Sequence, residues 1–261
     1  MKVKKMAAPL GAIVEGVDLR AVDDGMMAEL HHLFDEHHVL VFPGQELTPQ
    51  QQKAFGLRWG ELIPHPYAGL DAHPEIIELV NRGKRRDVNQ HWHTDMSYNE
   101  LPPKLTMLYA LQAPEFGGET AFANQHLAYE ELSDGMKSTL DGLLGVNSAA
   151  GLARLYGEDE SKASRALHPL VRTHDGNGKR AIYACRSFTT GVDGWRREES
   201  KWLLNFLFEH SVRPEYQARH QWRAGDVAMW DNRSVLHYAV HDHGDEARRI
   251  HRCQVVGERP I

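Results

Sequence analysis

The chemistry in this sequence begins in the run Asn89-Gln-His-Trp-His-Thr-Asp-Met-Ser-Tyr98, where His93 and Asp95 stand two residues apart. In an extended strand such residues project from one face, so an imidazole and a carboxylate converge on one point. A second imidazole, His237, lies far downstream in the strand-like run Trp230-Asp-Asn-Arg-Ser-Val-Leu-His237-Tyr. Two histidines and one carboxylate on one edge of an ion leave three coordination positions open, the arrangement of iron(II) oxygenases that must admit a co-substrate and oxygen. The chain has 17 histidines, however, and an isolated His-x-Asp is usually a plain polar pair on a strand. His91 would share a face with His93 and Asp95 in a continuous strand, and His241 and His243 compete for the distal place. Spacing alone does not choose among them.

Beyond His237 comes Arg248-Arg-Ile-His-Arg252. Arg249 and Arg252 cannot point the same way along a regular strand, and a guanidinium fork matches a carboxylate with two parallel hydrogen bonds, so each could hold a separate anion. Two acidic ligands are therefore expected, against the bland alternative of a solvated basic edge. Gly117-Gly118-Glu119-Thr120 adds a tight turn and a hydroxyl donor, a pattern equally suited to a hairpin corner.

The elements that must position these residues read as mostly β with flanking helices. Asp23 and Asp24 cap a helix from about Gly25 to His37, with Met27, Leu30, Leu33 and Phe34 on one face. A strand from Val39 to Phe42 follows. Thr48-Pro49-Gln50-Gln51 supplies an N-cap, a first-turn proline and a capping-box glutamine for a helix towards Trp59. A further helix begins near Arg196, runs through Phe208 and ends before Pro214. Short, turn-bounded runs rich in Val, Ile, Tyr and Thr predict strands over 105–111, 120–123, 170–173, 181–184, 216–222, 227–230, 235–240 and 250–256. Helices gather early and before the last strands, which is no βαβ alternation, so a jelly roll (double-stranded β-helix, cupin-like) decorated by helices is expected.

The 261 residues show no repeat, low-complexity tract or linker, so residues 1–261 read as a single domain. A net charge of −6 argues against nucleic acid. Two cysteines, Cys185 and Cys253, are too few for a disulfide framework and suit a reducing cytoplasm. The start, from Met1 to Val14, imitates a leader, but Pro9 and Gly11 break its apolar run. No stretch is apolar for long enough to cross a bilayer, and no membrane partner is expected.

Together the motifs resemble the taurine and 2,4-dichlorophenoxyacetate dioxygenase (TauD/TfdA) family of iron(II)/2-oxoglutarate enzymes. The likeness runs from Leu10-Gly-Ala-Ile-Val-Glu-Gly-Val-Asp-Leu19 through Thr48-Pro-Gln-Gln-Gln52, Gly60-Glu-Leu62, Trp92-His-Thr-Asp95, Gly117-Gly-Glu-Thr120, Phe188-Thr-Thr190 and Trp230-Asp-Asn-Arg233 to Arg248-Arg-Ile-His-Arg252. The resemblance implies that His93, Asp95 and His237 hold Fe(II), and that Arg249, with Thr120 beside it, holds the distal carboxylate of 2-oxoglutarate. It implies that Arg252 holds the anionic group of the prime substrate, with His65 and Asn89 as polar contacts and Phe188 as an aromatic wall. The implied reaction uses O2 and releases succinate and CO2 as it hydroxylates a small organic anion: an aryloxyalkanoate, a sulfonate or a related carboxylate. Where the oxidised carbon bears an ether oxygen or a sulfonate sulfur, C–O or C–S cleavage follows. A homo-oligomer is expected.

Asn89 to Ser97 reads more like the aryloxyacetate branch, whereas Phe188-Thr-Thr190 and Trp230 to Tyr238 read like the taurine branch. The segment from Asn147 to Arg165 is short where relatives carry a longer active-site loop. Two rivals stand beside this reading. A zinc hydrolase also uses two histidines and a carboxylate, but leaves the arginines unexplained. The other is a silent jelly-roll module that binds a small acid or a metal.

Overall fold

In the computed structural model, which describes residues 1–7, 9–65, 68–81 and 91–261, period-2 alternation along the central strands builds two cores at once. Val39 and Val41 enter one cluster while Leu40 and Phe42 enter the other; Ala228 and Trp230 part from Val227 and Met229 in the same way. A strand apolar on both faces must be covered on both. The sheet containing them has eight strands in the order Lys2–Lys5, Ala12–Glu15, Val39–Phe42, Val227–Asp231, Leu105–Gln112, Arg248–Val255, His73–Asn81 and Gly69–Leu70. One face is covered by the helices Asp24–His37 and Pro49–Leu57, through Met27, Leu30, Phe34, Phe55 and Trp59. The other face meets a three-stranded sheet, Gln217–His220, Thr120–Asn124 and Val235–Ala239, through Phe122, Ala218, Trp222 and Val235. This is the expected jelly roll.

Local chemistry sets the helix ends. Asp23 accepts from the Met26 amide, and Thr48 and Gln51 form the reciprocal capping box expected from the sequence. The late helix, Arg197–His210, seats Leu203, Leu204 and Leu207 on a third cluster that includes Val171 and Ile182.

Some expectations are corrected. The 91–98 segment is no strand: His93 makes one isolated bridge to His237, and the chain turns from Asp95 onward with Met96 at φ 47°. The strands His73–Asn81, Leu144–Ser148, Arg165–Pro169 and Thr189–Val192 were not anticipated, because prolines, glycines and charges dilute their β pattern. The short region 147–165 holds the helix Ala150–Tyr156 and a 3-10 turn at Glu160–Lys162.

Candidate active site

Thr120–Asn124 pairs with Val235–Ala239 so that His237 lies opposite Phe122, and the reciprocal amide–carbonyl bonds of His93 and His237 (3.0 and 2.8 Å) pin the 93–95 turn beside it. Two distant stretches of chain thus bring three side chains together. The ligand atoms of His93, Asp95 and His237 all lie within 4.8 Å of one another, and all three residues are buried. Asp95 Oδ1 stands 3.7 Å from both imidazole Nε2 atoms, too far for hydrogen bonds and right for flanking an ion. His93 Nδ1 lies 2.7 Å from the carbonyl of His91, which makes Nδ1 the donor and Nε2 the nitrogen that carries the lone pair.

Electrostatics agree with that donor set. Burial pushes His237 down to about 3, helped by the neighbouring His93, so its imidazole is neutral. Burial would raise Asp95, but His237, His93 and Arg252 hold it below its usual range, so it stays a carboxylate. Neutral imidazoles and an ionised acid are the forms a metal requires. The competitors fall away by position. His91 is exposed and offers its carbonyl, His243 Nδ1 is engaged by the Glu246 carbonyl, and His241 lines the cavity outside the ligand cluster.

Among the described residues one other cluster, Asp35, His174 and Asp231, meets the same distance condition. Both oxygens of Asp231 and both ring nitrogens of His174 are already engaged. Arg233 grips Asp231 through Nε and Nη2 at 2.8 and 2.7 Å, and His174 Nε2 donates to it at 2.8 Å while its Nδ1 accepts two backbone amides. This is an ion-pair network that ties down the turn after Trp230.

A cavity of about 180 Å³ opens at the first cluster, lined by Asp95, His237, Trp230, Thr120, Arg248 and Arg252 among others. Arg248 and Arg252 lie an even number of residues apart on one strand and so face the same side, towards the second sheet. Among the described residues neither has a carboxylate partner, and the Nε of each is buried without a hydrogen bond. Burial lowers Arg248 to about 10. Its guanidinium lies over the Trp222 ring at 5.3 Å and donates to Thr120 Oγ1 at 3.3 Å, which also receives Trp222 Nε1 at 2.9 Å. Two donors occupy the Thr120 oxygen, leaving its own hydrogen for an acceptor in the cavity.

The structure therefore corrects the place given to Arg249. Its odd position turns it to the opposite face, where Nη2 meets Glu78 Oε1 at 2.6 Å with its side chain 44% exposed. Arg248 is the residue beside Thr120. His65 is half-buried and feels both burial and the charge of Arg252, each lowering it. Phe188 is buried edge-on to His93 at 6.1 Å and to Tyr98 at 5.0 Å. Asn89 lies outside the described residues. Reading the sequence also passed over Tyr98, Thr106 and Gln254, whose side chains stand around Asp95. A polar residue at an inward-facing strand position was the available signal for the last two.

The model of the family described as "Taurine catabolism dioxygenase TauD, TfdA family" matches residues 2–254. The alkylsulfatase of Acinetobacter baylyi is 33% identical, over 99% of this chain and 86% of the relative. The alpha-ketoglutarate-dependent 2,4-dichlorophenoxyacetate dioxygenase of Cupriavidus pinatubonensis is 35% identical over 86% of each chain. The crystal structure of a taurine dioxygenase from Burkholderia xenovorans superposes with a TM-score of 0.89 at 34% identity, covering all of this chain and 90% of the other.

Proposed function

We propose, for a chain that belongs to the TauD, TfdA family and is an iron(II)- and 2-oxoglutarate-dependent dioxygenase of small organic anions, that His93, Asp95 and His237 hold the metal and that two arginines divide the two acids between them. The observation that carries this division is the pair of cavity-lining guanidiniums, Arg248 and Arg252, neither of which makes an ion pair with an acid among the described residues. A buried unpaired charge costs several kcal/mol and persists in a fold when a ligand is there to neutralise it.

When bound, the iron supplies the oxidative decarboxylation of 2-oxoglutarate to succinate and CO2 and the oxygenation of a substrate carbon. The chain supplies position and dryness. Arg248 and the free hydrogen of Thr120 clamp the distal carboxylate of 2-oxoglutarate in one pose. Arg252 lies about 13 Å from Arg248 along the strand. Arg252 and His65 receive the anionic head of the prime substrate, with Asn89 as a further polar contact. Phe188 and Tyr98 wall the site with apolar surface; burial lifts Tyr98 to about 12, so it stays a neutral phenol. We read residues 1–261 as one domain because one sheet takes strands from both ends of the chain. A cytoplasmic location is proposed, supported by two unpaired, buried cysteines; among the described residues no helix is long and apolar enough to cross a membrane. Self-association is proposed through the exposed Trp202 and Phe206 of the late helix, to be read by light scattering of a Trp202→Glu variant.

The test is an anaerobic titration of apoprotein with Fe(II) and then 2-oxoglutarate. A visible charge-transfer band, followed on aeration by succinate in step with substrate from a panel of sulfonates, alkyl sulfates and aryloxyalkanoates, supports the assignment. Absence of the band in His237→Ala but not in His241→Ala locates the metal. A band that survives His237→Ala refutes the ligand set.

A further inference from the structure

Asp95 has two oxygens, and they are treated differently. Oδ1 faces both histidines at 3.7 Å. Oδ2 faces away and takes a hydrogen bond from Thr106 Oγ1 at 2.6 Å and another from Gln254 Nε2 at 3.0 Å. The sheet register explains the arrangement. Thr106 lies directly opposite Trp230 on one neighbouring strand and Gln254 on the other, so the three form a row across the sheet on its inner face. Thr106 and Gln254 are fully buried in a face otherwise filled by Ile250, Leu108 and Ala228.

Proton counting fixes every direction in this row. Thr106 Oγ1 accepts from Asn232 Nδ2 at 2.9 Å and from Gln254 Nε2 at 3.1 Å, so both its lone pairs are used and its single hydrogen goes to Asp95. Asn232 is held in that orientation because its Oδ1 accepts Trp230 Nε1 at 3.0 Å and lies 3.4 Å from the Asp95 amide. Gln254 Oε1 is buried with no partner among the described residues, so the side chain is retained for its donor end.

Resting on the reading of His93, Asp95 and His237 as metal ligands, we infer that Thr106 and Gln254 are positioning residues that lock the Asp95 carboxylate so that Oδ1 alone is offered to the ion. A carboxylate free to turn would approach with both oxygens and take a coordination position that the co-substrate needs. Turning here would break two hydrogen bonds and leave the fully buried Thr106 and Gln254 donors unsatisfied. Asn232 and Trp230 act one step further out, by aiming the Thr106 hydroxyl.

The experiment measures Mn(II) affinity of the apoprotein, in the absence of 2-oxoglutarate, by electron paramagnetic resonance. Thr106→Val and Gln254→Met should each weaken Mn(II) binding roughly 10- to 100-fold, the usual effect of removing a group that orients a ligand. Thr106→Ser keeps the hydroxyl and should return affinity to within about threefold of the parent. The anaerobic Fe(II)–2-oxoglutarate band should shift in Thr106→Val and Gln254→Met and hold its position in Thr106→Ser. Gln254→Met, close in volume to the parent side chain, keeps the test alive should Thr106→Val not fold. Parent-like affinity in Gln254→Met and in any folded Thr106→Val, or a loss that Thr106→Ser does not restore, overturns the inference. His237→Ala is run alongside: if it binds Mn(II) as tightly as the parent, the ligand reading itself has failed, whereas its loss with Gln254→Met and any folded Thr106→Val unaffected discards the clamp alone.

Discussion

Replacing Arg248 by methionine should uncouple two properties that usually move together, making the apoprotein more stable and the co-substrate much weaker. The guanidinium is buried without a carboxylate among the described residues, and burial moves its ionisation from 12.5 to about 10. At 1.36 kcal/mol per unit, that is a cost on the order of 3 kcal/mol borne by the apoprotein. Methionine removes the charge and fills similar volume, while forfeiting the bond to Thr120 Oγ1, about 1 to 1.5 kcal/mol. The net gain of about 1.5 to 2 kcal/mol should lift the apoprotein melting temperature by roughly 3 to 8 °C for a chain of this size. Binding moves the other way. Losing one side of a buried, bidentate charge pair costs about 2 to 5 kcal/mol, so 2-oxoglutarate should bind at least 30-fold more weakly in titration calorimetry. Arg249→Met supplies the contrast. Its exposed pair with Glu78 is worth no more than about 1 kcal/mol, so stability and affinity should both stay within a few-fold of the parent. If Arg249→Met rather than Arg248→Met lost 2-oxoglutarate, or if apo Arg248→Met melted lower than the parent, the assignment of the anchoring arginine would be refuted.

Arg252→Ala should raise KM for the prime substrate by at least tenfold while 2-oxoglutarate affinity stays within about threefold; equal loss of both would mean that the two anchors are not separate. Metal should stabilise the fold by about 2.7 kcal/mol at one hundred times its Kd, so chelator should lower the melting temperature of the parent and leave His237→Ala unchanged. The apoprotein should be acid-labile through His38 and His126, whose rings lie 4.9 Å apart and which burial lowers to about 3 and about 4. Both are neutral when folded and take a proton near 6.5 when unfolded, so stability is full above that pH and falls as pH drops towards 4. The slope is about 1.4 kcal/mol per unit for each group. A His38→Gln, His126→Gln variant should lose markedly less between pH 7.5 and 5 in thermal melts, and an unchanged loss would place the lability elsewhere.

How legible the site was depended on what each residue's position answers to. The helix caps at Asp23 and Thr48 and the central strands were readable because their causes are local: a side chain reaching its own helix turn, or a run of apolar residues in register with a pleat. His93 and Asp95 do lie together, but not for the reason that strand parity supplies. Strand parity was invoked, yet the segment is a turn held by a single bridge to His237, so their convergence is the work of a contact distant in sequence. Spacing could not have ranked His93 above His91, since what separates them is which face the bridge turns inward.

The arginine error is the more instructive case, because parity was the right tool and was applied to the wrong pair. Two anions in one cavity require two guanidiniums on one face, and on a strand that demands an even separation: Arg248 and Arg252, not Arg249 and Arg252. The same count extends to Gln254, so a single strand presents Arg, Ile, Arg and Gln inward while Cys253 and Val255 face the helices. A polar residue on an inward face is costly unless something satisfies it. On this strand, then, Gln254 spends its donor end on Asp95 and Thr106, while the two arginines make no ion pair among the described residues. That difference, between a buried donor already engaged and guanidiniums without an ion pair, supports the proposals that Gln254 shapes the metal edge and that the arginines receive the two acids.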